Sequence, residues 1–200
     1  MTVKRSELRK DYIQEKYVLI APLRKKRPHQ AVEQAEACPL VRPEDSPLSP
    51  FNINQEPALA LIGTKRSWKV YVAANKFPAV SLDNPKAYGE HELVVETPNP
   101  NIHLEDLPTN HVADVLAVYA KRTAALAKNP RLNYVLIFKN AGGRAGASLC
   151  HAHSQIFATE FVPPHIRDKS NRSKDYRAVH GTCIYCAVIK RERSSARFIW

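Results

Sequence analysis

No run of apolar residues in this 200-residue chain reaches the ~18 that a membrane-crossing helix needs. The N-terminal stretch MTVKRSELRKDYIQEKY carries charge with no apolar segment behind it, so no secretory leader is read there. Together these absences predict a soluble protein of the cytoplasm. Cysteine is scarce: four residues, at 38, 150, 183 and 186. Two singles and one close pair do not make the disulfide framework of a small secreted domain. No internal repeat is found, which excludes a solenoid. Acidic residues are in deficit, 19 against 30 Lys and Arg, for a formal charge of +11. An excess of that size suits an anionic partner: nucleic acid, an anionic membrane or phosphorylated small molecules. The basic clusters, at 24–27, 167–177 and 190–193, hold a single aromatic, Tyr176, and so lack the repeated interleaved aromatics on which bases stack, which counts against nucleic acid. A plain solvated surface also accounts for any one of them.

What is present is an ordinary globular composition, 44% hydrophobic, enough to bury a core. Tyr17 to Ala21 and Trp68 to Ala73 read as strands, and His91 to Glu96 (HELVVE) as another. Residues 22–67 read as a long irregular segment. Pro108 suits a first helical turn. Val112, Val115, Leu116, Tyr119, Thr123 and Leu126 then recur at spacings of three and four, one apolar stripe ended by Asn129-Pro130. Tyr134 to Phe138 (YVLIF) is almost wholly apolar and reads as a central strand. A glycine-rich loop, NAGGRAGASL, fills 140–149, and a strand with alternating faces follows from Ala152 to Thr159. Strands surrounding one long helix predict an α+β fold, an antiparallel sheet with a packed helix. The expected organisation is a domain over 1–165, a polar linker over 166–180, and over 181–200 the start of a truncated second half.

The chemistry concentrates in His151-Ala152-His153-Ser154-Gln155. Alternation on a strand puts His151, His153 and Gln155 on one face and Ala152, Ser154 and Ile156 on the other. Two imidazoles and an amide in a row are poor core material, because each needs partners once buried. The loop upstream offers backbone N–H groups to a phosphate. A neutral imidazole is available at pH 7 as a nucleophile on phosphorus, and a nucleotidyl-histidine would split one transfer into two steps. Gln155 can donate to a phosphoryl oxygen but has no proton to give a leaving group. A third histidine at that position would favour hydrolysis; glutamine favours waiting for a second phosphate acceptor.

These residues resemble the N-terminal part of the galactose-1-phosphate uridylyltransferase family, within the histidine-triad superfamily, including ADP-glucose phosphorylase-like relatives. The resemblance runs from Leu8-Arg9-Lys10-Asp11 through Arg24-Lys25-Lys26-Arg27-Pro28, Cys38-Pro39-Leu40, Asn75-Lys76-Phe77-Pro78 and Gly89-Glu90-His91-Glu92 to the histidine motif and Cys183/Cys186. It implies a histidine-triad-like half of a two-half transferase fold, and a homodimer. His153 matches the nucleophile and Gln155 the residue that binds the transferred group. Asn140, Gly146, Ala147 and Ser148 match the phosphate loop, Asn75 a nucleotide contact, and Arg27 an arginine near the sugar phosphate. The implied reaction moves UMP, or AMP, from a nucleotide sugar to a hexose 1-phosphate or phosphate. A histidine-triad hydrolase or dinucleotide phosphorylase, or an inactive nucleotide-binding fragment, are the other readings. The chain departs from the family at its first metal site. Cys38 and His151 remain, but Val41 and Pro100 stand at the other two ligand positions; His103, three residues on from Pro100, is the alternative ligand, and the site is expected to be empty. Zinc is expected only at Cys183 and Cys186, half of a second site, with a reduced thiol pair as the alternative. Ala152 and Ser154 leave the choice between uridine and adenine open.

Overall fold

The computed structural model describes residues 5–13, 16–26, 39–142, 145 and 147–195. It divides into two compact units, Met1–Arg9 with Val18–Phe161, and Lys10–Tyr17 with Val162–Trp200. Strands β1 (Glu7–Lys10) and β2 (Tyr17–Ile20) form a two-stranded sheet. In the first unit a one-turn helix α1 (Pro50–Ile53) precedes β3 (Ala60–Thr64), β4 (Ser67–Ala74) and β5 (Gly89–Val95). Helix α2 (Thr109–Leu126), β6 (Tyr134–Phe138) and β7 (His153–Thr159) follow. The five later strands make one antiparallel sheet in the order β3-β4-β5-β7-β6. The α+β class expected from the sequence is the class observed.

Period-2 alternation gives this sheet two different faces. Val70, Val72, Val94, Ile156 and Ala158 point to one side, where Val115, Val118 and Leu126 of α2 close over them. Tyr71, Ala73 and Val95 point to the other, packed with Leu48 and Ile53, and the register shift between Ile62 and Gly63, which leaves Lys69 unpaired, brings Trp68 to that side too. Both faces are covered, so β4 from Val70 to Ala73 and β5 from Leu93 to Val95 are apolar on both sides. The α2 stripe differs by one position from the sequence reading: Val118 is buried and Leu116 is 58% exposed.

Three further expectations are corrected. The YVLIF segment is the outermost strand of the sheet, not a central one. It looks central because Val135 and Ile137 pack on the α2 core, while Leu136 on its other face stays 40% exposed. Within 22–67, read as irregular, β3 supplies a paired strand whose apolar pattern is short. The stretch read as a polar linker is helical over α3 (Pro164–His180), and the chain after it forms α4 (Ile184–Glu192). No α3 residue is buried, so no stripe betrays it. Its signals are terminal: Pro164 in the first turn and Gly181 in the left-handed conformation as the C-cap.

One glycine fixes the sheet beside the site. A Cβ on Gly89 would lie 2.2 Å from the Ala158 carbonyl oxygen and 2.8 Å from Val80 Cγ2. The β5–β7 pair therefore closes only over a bare Cα at this point. Gly89→Ala is expected to cost about 1–3 kcal/mol of stability, as overpacking does. Urea denaturation measures it, and an unshifted midpoint would refute the close-approach account.

Candidate active site

The pairing of β5 with β7 sets His153 opposite Val95, and Gln155 opposite Leu93. These side chains lie on the face away from α2. There a cavity of about 330 Å³ opens, a size within the usual range for small-molecule sites. Six residues singled out in the sequence line it together: Asn75, Asn140, Ala147, Ser148, His153 and Gln155. Leu48, Ile53, Phe77 and Leu93 give it an apolar wall. Arg24 also faces it, its guanidinium donating to the Phe77 carbonyl at 2.9 Å. At the rim Lys76 pairs with Glu56 at 2.8 Å. Arg27, Gly146 and Cys38 lie outside the described residues.

His153 is buried, and its Nδ1 stands 2.8 Å from the His151 carbonyl oxygen. A ring nitrogen facing a carbonyl must donate, so Nδ1 carries the proton and Nε2 the lone pair. That is the tautomer a nucleophilic imidazole requires. Gln155 is held by a residue the sequence reading passed over. His91, buried on β5, accepts the Ala79 backbone N–H on Nδ1 at 3.2 Å, and its Nε2 lies 2.9 Å from Gln155 Oε1. Burial lowers the His91 pKa to about 4, the Arg24 charge adding to the fall and the Gln155 bond opposing it. His91 is therefore neutral at pH 7.

His151 does not join the cavity lining. It sits just before β7, fully buried, with Nε2 donating to the Thr97 carbonyl and Nδ1 accepting from Ser46 Oγ, each at 2.7 Å. Burial lowers its pKa, also to about 4. Val41, at one of the ligand positions implied by the resemblance, is clamped through both backbone groups by the Asn101 amide, at 2.8 and 2.9 Å. Pro100 is fully buried. Hydrogen bonds thus tie residues 41–46, 97–101 and 151 together. A ring with both nitrogens engaged does not fit a metal ligand.

Behind the motif, on the α2 face, lies a buried polar knot. The Glu96 carboxylate, wholly buried, accepts from Ser154 Oγ and pairs with Lys139. Tyr119 Oη meets Ser154 Oγ at 2.5 Å, and burial pushes its pKa up to about 12. Ser154 separates His153 from Gln155, and Lys139 precedes Asn140. The knot therefore anchors the strand and the start of the loop at once. Charged residues inside the apolar run HELVVE were the available signal for it, since a buried carboxylate needs a cationic partner.

In the second unit Cys183 caps α4, and Cys183 and Cys186 are both free thiols. The backbone N–H groups of Cys186 and Tyr185 lower the Cys183 pKa, and the bond to Cys183 raises that of Cys186. The pair supplies two of the four ligands that structural zinc takes. Among the described residues no three His, Cys, Asp or Glu side chains gather as a metal site. The described residues alone do not fit zinc. Nor is any described helix long and apolar enough to cross a membrane.

Residues 80–163, which hold β5, α2, β6 and β7, match the family model "Galactose-1-phosphate uridyl transferase, N-terminal domain". An ADP-glucose phosphorylase of Arabidopsis thaliana is 32% identical over 197 residues, covering 90% of this chain and 56% of that protein. A galactose-1-phosphate uridylyltransferase of Thermotoga maritima is 29% identical over 191 residues, covering 93% and 57%. Among solved structures, an ADP-glucose phosphorylase from Arabidopsis thaliana with bound ADP-glucose aligns with a TM-score of 0.67 at 30% identity, over 96% of this chain and 59% of that one. A uridylyltransferase aligns at 0.69 and 29% identity, over 93% and 56%. The chain spans a little over half the length of these relatives.

The low His91 pKa has a consequence for stability. Between pH 6.5 and about 4 the unfolded chain binds a proton that folded His91 refuses. Stability therefore falls as pH falls through that window, and this contribution is constant above it. The slope from this group is at most about 1.4 kcal/mol per pH unit. Denaturation curves at pH 7, 6, 5 and 4 should show His91→Gln losing stability less steeply than the parent. Parallel profiles would contradict a neutral, buried His91.

Proposed function

We propose that this chain, a relative of the galactose-1-phosphate uridylyltransferase family in sequence and fold, carries a nucleotidyltransferase site in which His153 is the nucleophile. The group moved is UMP or AMP, from a nucleotide sugar to a hexose 1-phosphate or to phosphate. The observation that carries the reading is the His153 tautomer: Nδ1 is committed to the His151 carbonyl, which leaves the lone pair on Nε2 of a residue lining the cavity. In the first step Nε2 attacks the α-phosphorus. An N–P bond forms, the bond from the α-phosphorus to the bridging oxygen breaks, and the sugar 1-phosphate leaves with the electron pair. In the second step a phosphate oxygen of the acceptor attacks the same phosphorus and the imidazole leaves neutral. Gln155 donates to a phosphoryl oxygen in both steps and gives up no proton. Asn75, Asn140, Ala147 and Ser148 contact the nucleotide and its phosphates, with Arg27 near the sugar phosphate.

The partners in this proposal are a nucleotide sugar and a sugar phosphate, with neither nucleic acid nor membrane, in a cytoplasmic homodimer. No step passes through zinc. Relatives named for uridylyl transfer and for ADP-glucose phosphorolysis both support the class, and the base is left to experiment.

Incubation with UDP-glucose and, separately, ADP-glucose followed by intact-mass measurement should reveal a covalent nucleotidyl adduct. It should be present on the parent and absent from His153→Ala, and the mass increment names the base. No adduct with either donor would overturn the proposal. Steady turnover of donor without any acceptor would replace transfer by hydrolysis.

A further inference from the structure

Gln155 poses a problem that its own chemistry does not solve. A primary amide has a donor end and an acceptor end of nearly equal size, and only the donor end suits a phosphoryl oxygen. Turned the other way, its carbonyl would face the phosphate's negative charge. Something must select the orientation before substrate arrives.

We propose that His91 is the positioning residue that makes this selection, holding Gln155 Oε1 with its Nε2–H so that the Gln155 NH₂ is the end offered to the phosphoryl group. The inference rests on the transfer reading for the role of Gln155, but the contact itself stands on geometry alone. A backbone N–H can only donate, and Ala79 N–H points at His91 Nδ1 from 3.2 Å. Nδ1 of the neutral ring is thereby the acceptor, and the proton sits on Nε2. Two groups approach Nε2: Gln155 Oε1 at 2.9 Å and Asn75 Nδ2 at 3.2 Å. The Asn75 amide is itself fixed, because its oxygen accepts the Phe77 backbone N–H at 2.9 Å. Its nitrogen is then a donor and cannot take the His91 proton, so its 3.2 Å approach to Nε2 is a contact between donors and not a hydrogen bond. The Nε2–H bond goes to Gln155 Oε1. A flipped Gln155 would set a second NH₂ against the Nε2–H and leave that proton with no acceptor, and the ring cannot change tautomer to relieve it without setting Nδ1–H against the Ala79 N–H.

The surroundings hold this arrangement. Phe157 meets the His91 ring edge-on, centroids 5.1 Å apart at 76°. Burial and the Arg24 charge disfavour a second proton, which would destroy the acceptor at Nδ1. Among the described residues the Gln155 amide nitrogen has no hydrogen-bond partner, and the side chain lines the cavity. The orientation chain is therefore Ala79 N–H to His91, and His91 to Gln155.

Two measurements test it. Nitrogen-15 spectra of the histidine rings in the parent, with His91 assigned by its loss in His91→Gln, should show the Nε2–H tautomer, perturbed in Gln155→Ala. An Nδ1–H tautomer, or a signal indifferent to Gln155→Ala, overturns the proposal whether or not the protein transfers nucleotides. The second is the rate of adduct formation with whichever donor labels the parent. His91→Asn keeps an acceptor near Ala79 but cannot reach Gln155, and should slow the reaction at saturation about tenfold or more, with little change in half-saturation. His91→Gln places an NH₂ near the position of Nε2 and should recover much of the loss. In a Gln155→Ala background, His91→Asn should cost nothing further. The same loss in both backgrounds would mean that His91 acts through the fold and not through Gln155. Failure of the parent to form any adduct would refute the transfer reading, and the ring spectra would still decide the His91 contact.

Discussion

The register between β5 and β7 is the constraint on which the rest depends. It runs unbroken from Gly89 opposite Thr159 to Val95 opposite His153. Because side chains alternate, a slip of one residue would exchange the two faces of β7. His153 and Gln155 would then be buried against α2, and Ser154 and Ile156 would line the cavity. Nothing in a bare strand forbids such a slip. The two faces forbid it, since each carries groups that find partners only in this register.

On the α2 face those groups are carboxylates. Glu92 is 1% exposed and takes both ends of the Arg122 guanidinium, at 2.5 and 2.9 Å. Glu96 is wholly buried with Lys139, Ser154 and Tyr119 around it. Buried ion pairs add little net stability, because desolvation offsets much of the attraction, but breaking one strands a charge at a cost of about 3–5 kcal/mol. A slip of β7 would take Ser154 away from Glu96, while the Glu92–Arg122 pair joins β5 to α2 and does not depend on β7. Glu96 therefore acts on register more than on overall stability, and in doing so it holds His153 and Gln155 toward the cavity.

Much of this was legible in the sequence. The alternation in His151 to Ile156 set the faces correctly for His153, Gln155, Ser154 and Ile156, because period 2 is a strict property of a strand. It misled for His151, which precedes β7 and turns toward Ser46 and Thr97. The helix was found because its stripe meets a core, and α3 was missed because it meets none in its own unit. YVLIF was misplaced because an outer strand with one face on a core has the same composition as a central one. His91 was read as a strand residue and as part of the resemblance, with no role of its own. What gives it significance is a diagonal neighbour on β7 and a backbone N–H twelve residues away, and neither has a signature in the local pattern.

The buried histidines share one device. Each ring has its proton placed by the main chain: His153 by the His151 carbonyl, His151 by the Thr97 carbonyl, and His91 by the Ala79 N–H. A side-chain partner could rotate or titrate and let the ring change tautomer. A peptide group cannot, because its donor and acceptor are fixed by covalent structure and its direction by the fold. The choice of partner also has a direction. A carbonyl at Nδ1 leaves an electron pair on the far nitrogen of His153, while an N–H at Nδ1 leaves a proton on the far nitrogen of His91. The same side chain thus presents an electron pair at one position and a proton at the other, and the difference is written in which peptide group the backbone presents.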